Sequence, residues 1–595
     1  MPYRSERGDI RMLLAGDLMP ARARHLRRGR LPRAGVAVRG ADAAFGNLET
    51  VVRERDEGTP NFTQGTPMTT APRLLEDLKW LGFDIVSCAN NHATDYGHGG
   101  LLAMAAHLAR AGIPAAGLGA NLAEARAPAY VDTPAGRVAL VAATSFFRPW
   151  NRAADQRPDA AGRPGINPLG FARRYQVDDE ALRALRRISD SLWLTAERAR
   201  HRAQFYSASE VAPERDDAVD LLDAHFTRGD GFALSTAVNR ADAEANLRSI
   251  REARRQADWV IFSFHSHEFG NAGRLTAPTD SGMEEPAAFA TAFARAAIDA
   301  GADVVAGHGP HLTLGVEVYN DRPILYSLGN FVFQNDTVPV FPSESYGRFG
   351  LGHEATPADF LDARTGNDTR GFPAEAEFWE SFAATCDFRR PVGRTATASL
   401  DLGYGCSRAQ RLLLLAQGDV ARVLSAPRGC RRIYGTRLSV DGTTAVVDRR
   451  TDRRTDAGDP LMSLTLARQR RERTRELEAS AAGTGWRSTA TRGAATAWSA
   501  SDFPIPKATA ASERGRQRPS PSKARWKPSA PASRRPTAMS CGGPTAGDAR
   551  CRSERPCAVA PGSRGASADE AGMPQAIVEA GSGRLEDAGV RSTSR

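Results

Sequence analysis

The chain has 595 residues, a formal net charge of +10 and 41% hydrophobic residues, long enough for several domains and too apolar to be disordered throughout. Its 7 cysteines, an odd count without Cys-x-x-Cys spacing, fit a reducing compartment better than a disulfide scaffold; no run reaches the roughly 18 apolar residues of a membrane-spanning helix. Charge is unevenly placed: residues 451–595 hold 25 Lys and Arg against 15 Asp and Glu, so the first 450 are near neutral and give no reason to expect specific nucleic-acid binding.

In chain order, the first apolar stretch, Met12-Leu13-Leu14-Ala15, ends in Gly16-Asp17 and leaves a carboxylate at a strand end. Ala43-Ala44-Phe45-Gly46 then delivers Asn47 and Glu49, two residues apart and so on one side of an extended segment. Phe83 to Ala89 reads as a strand leading into Asn90-Asn91-His92 and Asp95-Tyr96-Gly97, followed by a helix from about Gly99 to Ala111. Cys88 on that strand reads as a small core residue.

Asp178 to about Ala208, with Leu182, Leu185, Ile188, Leu192 and Leu194 partly on helical spacing, predicts a mostly helical insertion over 172–238. Asn239 to Ala257 reads as a further helix capped by Asn239 or Asp242. It runs into the strand Asp258 to Phe264, which ends in His265-Ser266-His267-Glu268. Val304-Val305-Ala306 leaves its sheet at Gly307-His308-Gly309-Pro310-His311, a tight turn that aims two imidazoles at one point. Ile324 to Phe333 follows as another apolar run.

Val338 to Leu402 reads as irregular, with Glu344, Tyr346, Arg348 and Phe349 placed where a loop covers the site or forms plain surface. A strand pair is expected within Asp401 to Val423, and a closing hairpin, Arg437 to Val440 and Thr444 to Val447 across Asp441-Gly442, marks the domain end. Residues 451–595, rich in Ser, Ala, Pro, Gly, Thr and Arg, predict a disordered tail with a helical hint at Leu461 to Glu478.

Each polar strand end alone is also what a hydrogen-bonded loop residue looks like. Five in one chain point to a shared site, because catalytic groups on α/β folds collect where strands end.

The set Gly16-Asp17, Asn47-Leu48-Glu49, Asn90-Asn91-His92, His265, Gly307-His308-Gly309-Pro310-His311 and Ser327-Leu328-Gly329-Asn330-Phe331 resembles the capsule synthesis protein CapA family, named for poly-γ-glutamate capsule formation. Arg163 to Leu169 and Ile433 to Thr436 extend the resemblance over roughly residues 10–450. The family lies within the calcineurin-like metallophosphoesterase superfamily, which implies an α/β fold, a four-layer α-β-β-α sandwich with loops at strand ends holding one or two divalent ions (Mn, Fe or Zn). Carried over, Asp17 ligates one ion, Glu49 bridges and Asn91 binds the second. His92 stands outside the ligand ring, toward the substrate or leaving group, and His265, His308 and His311 complete the set. Asn47 and His267 are further candidates.

Two departures stand out. Met19 occupies the position of an imidazole in many superfamily members, with His267 a candidate substitute, and His308 and His311 are one residue further apart than the usual Gly-His-x-His. The resemblance implies a metal-dependent hydrolase acting on a phosphoester or a γ-glutamyl amide, or a non-catalytic capsule-polymer assembly factor that keeps the fold. An anionic polymer or phosphoester and other capsule-synthesis proteins are the expected partners. Met1 to Arg11 is too polar and short for a signal h-region, so a cytoplasmic location is expected, or a membrane-associated or exported one where an anchor precedes Met1.

Overall fold

A computed structural model describes residues 8–22, 33–62, 65–204, 215–270, 285–389, 394–404, 434, 436–441 and 444–448. The expected tail over 451–595, its helical hint, and the strand-pair residues 405–423 lie outside these. The chain divides into two units, Met1–Trp486 and Arg487–Arg595, and every described residue is in the first.

The fold is mixed α/β, built on two large sheets. The nine-stranded sheet runs Arg437–Asp441, Thr444–Asp448, Arg394–Tyr404, Glu380–Arg389, Ile10–Met19, Ala43–Leu48, Ile85–Ser87, Ala115–Ala116, with Asn330–Phe333 also on Ile10–Met19. The six-stranded sheet runs Val316–Tyr319, Arg322–Leu325, Val304–His308, Trp259–His265, Gly136–Thr144, Ala129–Thr133.

Because successive strand residues face opposite ways, each strand feeds two cores. Met12, Leu14, Phe45 and Ile85 of the first sheet pack with Leu140, Trp259, Ile261 and Val304 of the second. Leu13, Ala15 and Ala44 turn instead to Leu74 and Leu78 of the helix Leu74–Leu81 and to Met104 and Leu108 of the helix Gly97–Ala111. Val141, Val260 and Phe262 turn to Ile250 of the helix Arg240–Gln256 and to Phe289 and Phe293 of the helix Ala288–Asp299. Strands apolar on both faces are what the uninterrupted runs of the sequence require. The helix Arg240–Gln256 begins as expected, the Asn239 side chain accepting from the Asp242 amide.

The sheet forks at Gly16. Ile10 to Leu14 pair antiparallel with Ala384 to Phe388, whereas Asp17 to Met19 pair parallel with Asn330 to Phe333. A Cβ at Gly16 would lie 1.9 Å from the Gly329 carbonyl oxygen, which the Asp17 amide reaches at 3.0 Å. Only glycine admits this approach, and it fixes the turn that presents Asp17.

Two expectations need correction. The segment 172–238 is not mostly helical: beside the helices Asp179–Ser191 and Leu194–Gln204 it carries a four-stranded sheet in the order Ala218–Leu221, Ala224–Arg228, Phe171–Val177, Ala233–Val238. Alternating exposure along Phe171–Val177 is the period of a half-buried strand. Nor is 338–402 irregular, since the helix Pro357–Thr365 carries a capping box at Thr356 and Glu380–Arg389 pairs with Arg394–Tyr404. Tyr346 packs on Phe341 and Phe360, and Arg348 lies over the Phe62 ring. The closing hairpin forms, Arg437–Asp441 against Thr444–Asp448. Among the described residues no helix is long and apolar enough to cross a membrane.

Candidate metal centre

Parallel pairing brings the polar strand ends level. Asp17 is opposite Asn47 and Asn330, and Asn47 opposite Ser87, just before Asn90. In the second sheet His265 is opposite His308. The shared core holds the two sheets so that these ends meet: His308 Nδ1 is 3.7 Å from Asp17 Oδ1, and the Gly309 amide donates to Asp17 Oδ2 at 3.3 Å. Gly309 has φ +116° and His311 φ 62°, so the turn that carries both imidazoles is held in left-handed backbone.

All nine candidate residues come together. Three sets, Asp17 with His265 and His308, Glu49 with His265 and His267, and Asp17 with Glu49 and His311, each place ligand atoms within 4.8 Å of one another, where they could hold an ion. Asn91 Oδ1 is 2.8 Å from His265 Nε2. His267 Nε2 is 3.0 Å from the same nitrogen, its ring stacked on Phe146 at 4.3 Å. Asn47 donates to Asp17 Oδ1 at 2.9 Å and Glu49 Oε2 at 3.2 Å, so it braces the two carboxylates. His92 stands back, its Nε2 3.9 Å from Glu49 Oε1 and its Nδ1 2.7 Å from Asp95 Oδ2.

A supporting ring surrounds these ligands, with Asn90 and Asn330 quoted in the sequence motifs without a role and Ser263 missed. Ser263 Oγ lies 2.7 Å from His308 Nε2, leaving Nδ1 to face the centre, and Asn330 Oδ1 lies 2.9 Å from His311 Nδ1. Asn90 donates to Asn47 Oδ1 at 3.2 Å and to the Leu48 carbonyl at 3.0 Å. Ser263 is two residues before His265 on one strand, and so on the same face, the one signal that could have exposed it.

Electrostatics and donor chemistry fit a divalent ion. Burial tends to raise the Asp17 carboxyl, but the His311 hydrogen bond and the nearby imidazoles outweigh it and hold Asp17 well below the usual range. Burial, then the charge of Asp17, pushes Glu49 well above its usual value. Burial lowers His308 to about 4; burial and the neighbouring imidazoles lower His267 to about 3 and hold His265 well below its ordinary value. Neutral imidazoles are the form that ligates metal. Glu49 Oε1 is buried with no hydrogen-bond partner, a costly arrangement for a carboxyl oxygen that a cation would relieve. His265 Nε2 lies 2.8 Å from Asn91 Oδ1 and 3.0 Å from His267 Nε2, two contacts that one N–H would have to share. The mixed N and O donor set is one that divalent metal ions accept.

The cluster opens into a cavity of about 560 Å³ whose wall includes Met19, Asn91, His92, His267, His311 and Arg364. A larger cavity of about 730 Å³ adjoins it and shares Asn335, Arg364, Phe372 and Phe378.

The family described as "Bacterial capsule synthesis protein PGA_cap" matches residues 11–335, which contain all nine candidate residues. An uncharacterised protein of Sinorhizobium fredii is 32% identical over 457 residues, 73% of this chain and 92% of the relative. The PGA biosynthesis protein CapA of Bacillus subtilis is 35% identical over 176 residues, 26% of this chain and 43% of the relative. A probable polyglutamine synthesis accessory protein of Mycobacterium tuberculosis is 30% identical over 293 residues, 49% of this chain and 55% of the relative. The chain thus spans about half the length of these relatives with described roles. Matched over more than half of its own length by the family, and along nearly all of a relative, the chain belongs to the bacterial capsule synthesis PGA_cap family.

Proposed function

We propose that this protein is a metal-dependent hydrolase serving capsule or poly-γ-glutamate synthesis, cleaving a phosphoester or a γ-glutamyl amide of an anionic polymer. Its working unit is residues 10–450, with the architecture of a four-layer metallophosphoesterase sandwich. One observation carries the reading: two carboxylates and three imidazoles from strand ends of two sheets, all buried, with an orphaned Glu49 oxygen among them, next to a cavity that His311 lines.

A divalent ion bound there supplies Lewis acidity and lowers the pKa of a water that can attack. The chain's own residues do the rest. Asp17, Glu49, His265, His267, His308 and His311, with Asn91 beside His265, would hold the ion. His92, outside this set and fixed through Nδ1 by Asp95, presents Nε2 toward the leaving group, where it holds or delivers a proton. The phenyl rings of Phe146, Phe147 and Phe372 on the cavity wall limit water around the reacting group.

A second reading, a non-catalytic factor that binds capsule polymer, is favoured by Met19, whose thioether sits on the cavity wall in place of an imidazole. Turnover separates the two. With Mn²⁺ added, the full chain should hydrolyse bis(4-nitrophenyl) phosphate or a γ-linked glutamate chain, and Asn91→Ala and His308→Ala should abolish it. Polymer binding without turnover on either substrate class supports the second reading and overturns the first.

A further inference from the structure

Several half-buried arginines of this fold are matched to buried acids. Arg126 and Arg152 reach Asp242 at 2.9 and 3.0 Å, Arg254 and Arg322 reach Asp303 at 2.6 and 3.2 Å, and Arg295 reaches Glu317 at 2.7 Å. The exposed Arg148 and the half-buried Arg173 and Arg364 have no such acid. They arrive from three places far apart in the chain: the loop after Gly136–Thr144, the strand Phe171–Val177 and the helix Pro357–Thr365. All three line the cavity above the metal centre, and among the described residues no ion pair joins them to a carboxylate; the charge of Arg173 reaches Glu268, which Ser145 and Ser266 hold.

The acid on that wall, Asp95, is held by His92 and the Met68 amide. Arg364 is the most enclosed of the three. It donates to Thr66 Oγ1, and burial, then the charge of Arg348, disfavours its cationic form. Gathering like charges around one concave surface is unfavourable unless an anion occupies it. The larger cavity shows no such excess, since Asp336, Asp362, Asp368 and Glu375 line it along with Arg22, Arg364 and Arg370.

We propose that Arg364, with Arg148 and Arg173, forms an oxyanion subsite that holds a second anionic group of the substrate, one that is not cleaved. Guanidinium suits this task, since it pairs with carboxylate or phosphate in two parallel hydrogen bonds. The subsite selects substrates carrying at least two oxyanions, one at the metal centre and one at Arg364. Arg364 also lines the larger cavity, so a chain held there has a path onward. This inference rests on the cavity being the substrate site, as proposed above, but not on turnover.

The test is equilibrium binding to the full chain at low ionic strength with Mn²⁺ present. γ-Linked triglutamate serves as the carboxylate probe and propane-1,3-diyl bisphosphate as the phosphate probe. Arg364→Gln should weaken one of them by about tenfold or more, as expected for a charge-assisted pair. Arg364→Lys should recover part of the loss, and the probe affected identifies the oxyanion. Arg148→Gln, at an exposed position that folding tolerates, should weaken the same probe less strongly. Wild-type protein that binds neither probe, or Arg364→Gln that binds both within twofold of wild type, overturns the subsite. Arg364-dependent binding without hydrolysis of either substrate class supports the subsite and overturns the hydrolase reading; hydrolysis with Arg364-independent binding does the reverse.

Discussion

Metal-depleted protein should lose stability on mild acidification because of its own buried imidazoles. Burial holds His308 at about 4, and burial with the neighbouring imidazoles holds His267 at about 3 and His265 well below its ordinary 6.5. Unfolded, all three accept protons below about 6.5, so as the pH falls from about 6.5 to about 5 the unfolded state binds protons that the folded state refuses. At ~1.4 kcal/mol per pH unit below the midpoint, His308 and His267 together cost about 3 kcal/mol over the interval, and His265 acts in the same direction. Glu49 opposes this. Its folded value is raised by burial and by Asp17, so above the ordinary 4.5 the folded state holds more proton than the unfolded state, and acidification returns part of the loss. Urea titrations in EDTA at the two pH values measure the net loss. His308→Asn should shrink the acid loss by about 1.5 kcal/mol and Glu49→Gln should enlarge it. An identical pH dependence in wild type and both variants would refute the reasoning.

Other perturbations test single parts of the centre. Ser263→Ala removes the 2.7 Å partner of His308 and should weaken metal affinity by roughly 10–100-fold with a stability loss of only about 1 kcal/mol, read by metal-titration calorimetry and thermal melts. Gly309→Ala places a Cβ 3.1 Å from the His265 ring at φ +116°, and should cost about 1–3 kcal/mol and lower metal occupancy together. His92→Ala should leave metal content unchanged while kcat falls by about 10²–10⁴, and Asp95→Asn should shift the acid limb of the pH–rate profile.

The site was legible in the sequence to the extent that local punctuation writes it. Asp17, Glu49, Asn91, His265 and His308 each follow an apolar run, and a run that stops at a polar residue marks a strand end wherever it lies in the fold. His311 was legible through the Gly-Pro turn, although its left-handed backbone was not. Arg364 was not legible, because its place on the cavity wall depends on packing between residues nearly 300 positions from Thr66. Over 172–238 the leucine spacing of the helix Asp179–Ser191 masked the flanking strands, which are short, polar on one face and no stronger than loops in local pattern. The strands at Glu380–Arg389 and Arg394–Tyr404 were obscured by the Gly- and Pro-rich stretch ahead of them.

The central claim, that these strand ends hold a metal ion, is tested most directly by metal content. Full-length protein purified without chelator and analysed by mass spectrometry should carry at least one Mn, Fe or Zn per chain, and the His265→Ala/His308→Ala double variant, folded by circular dichroism, should carry none. Metal retained in full by that variant would contradict the account.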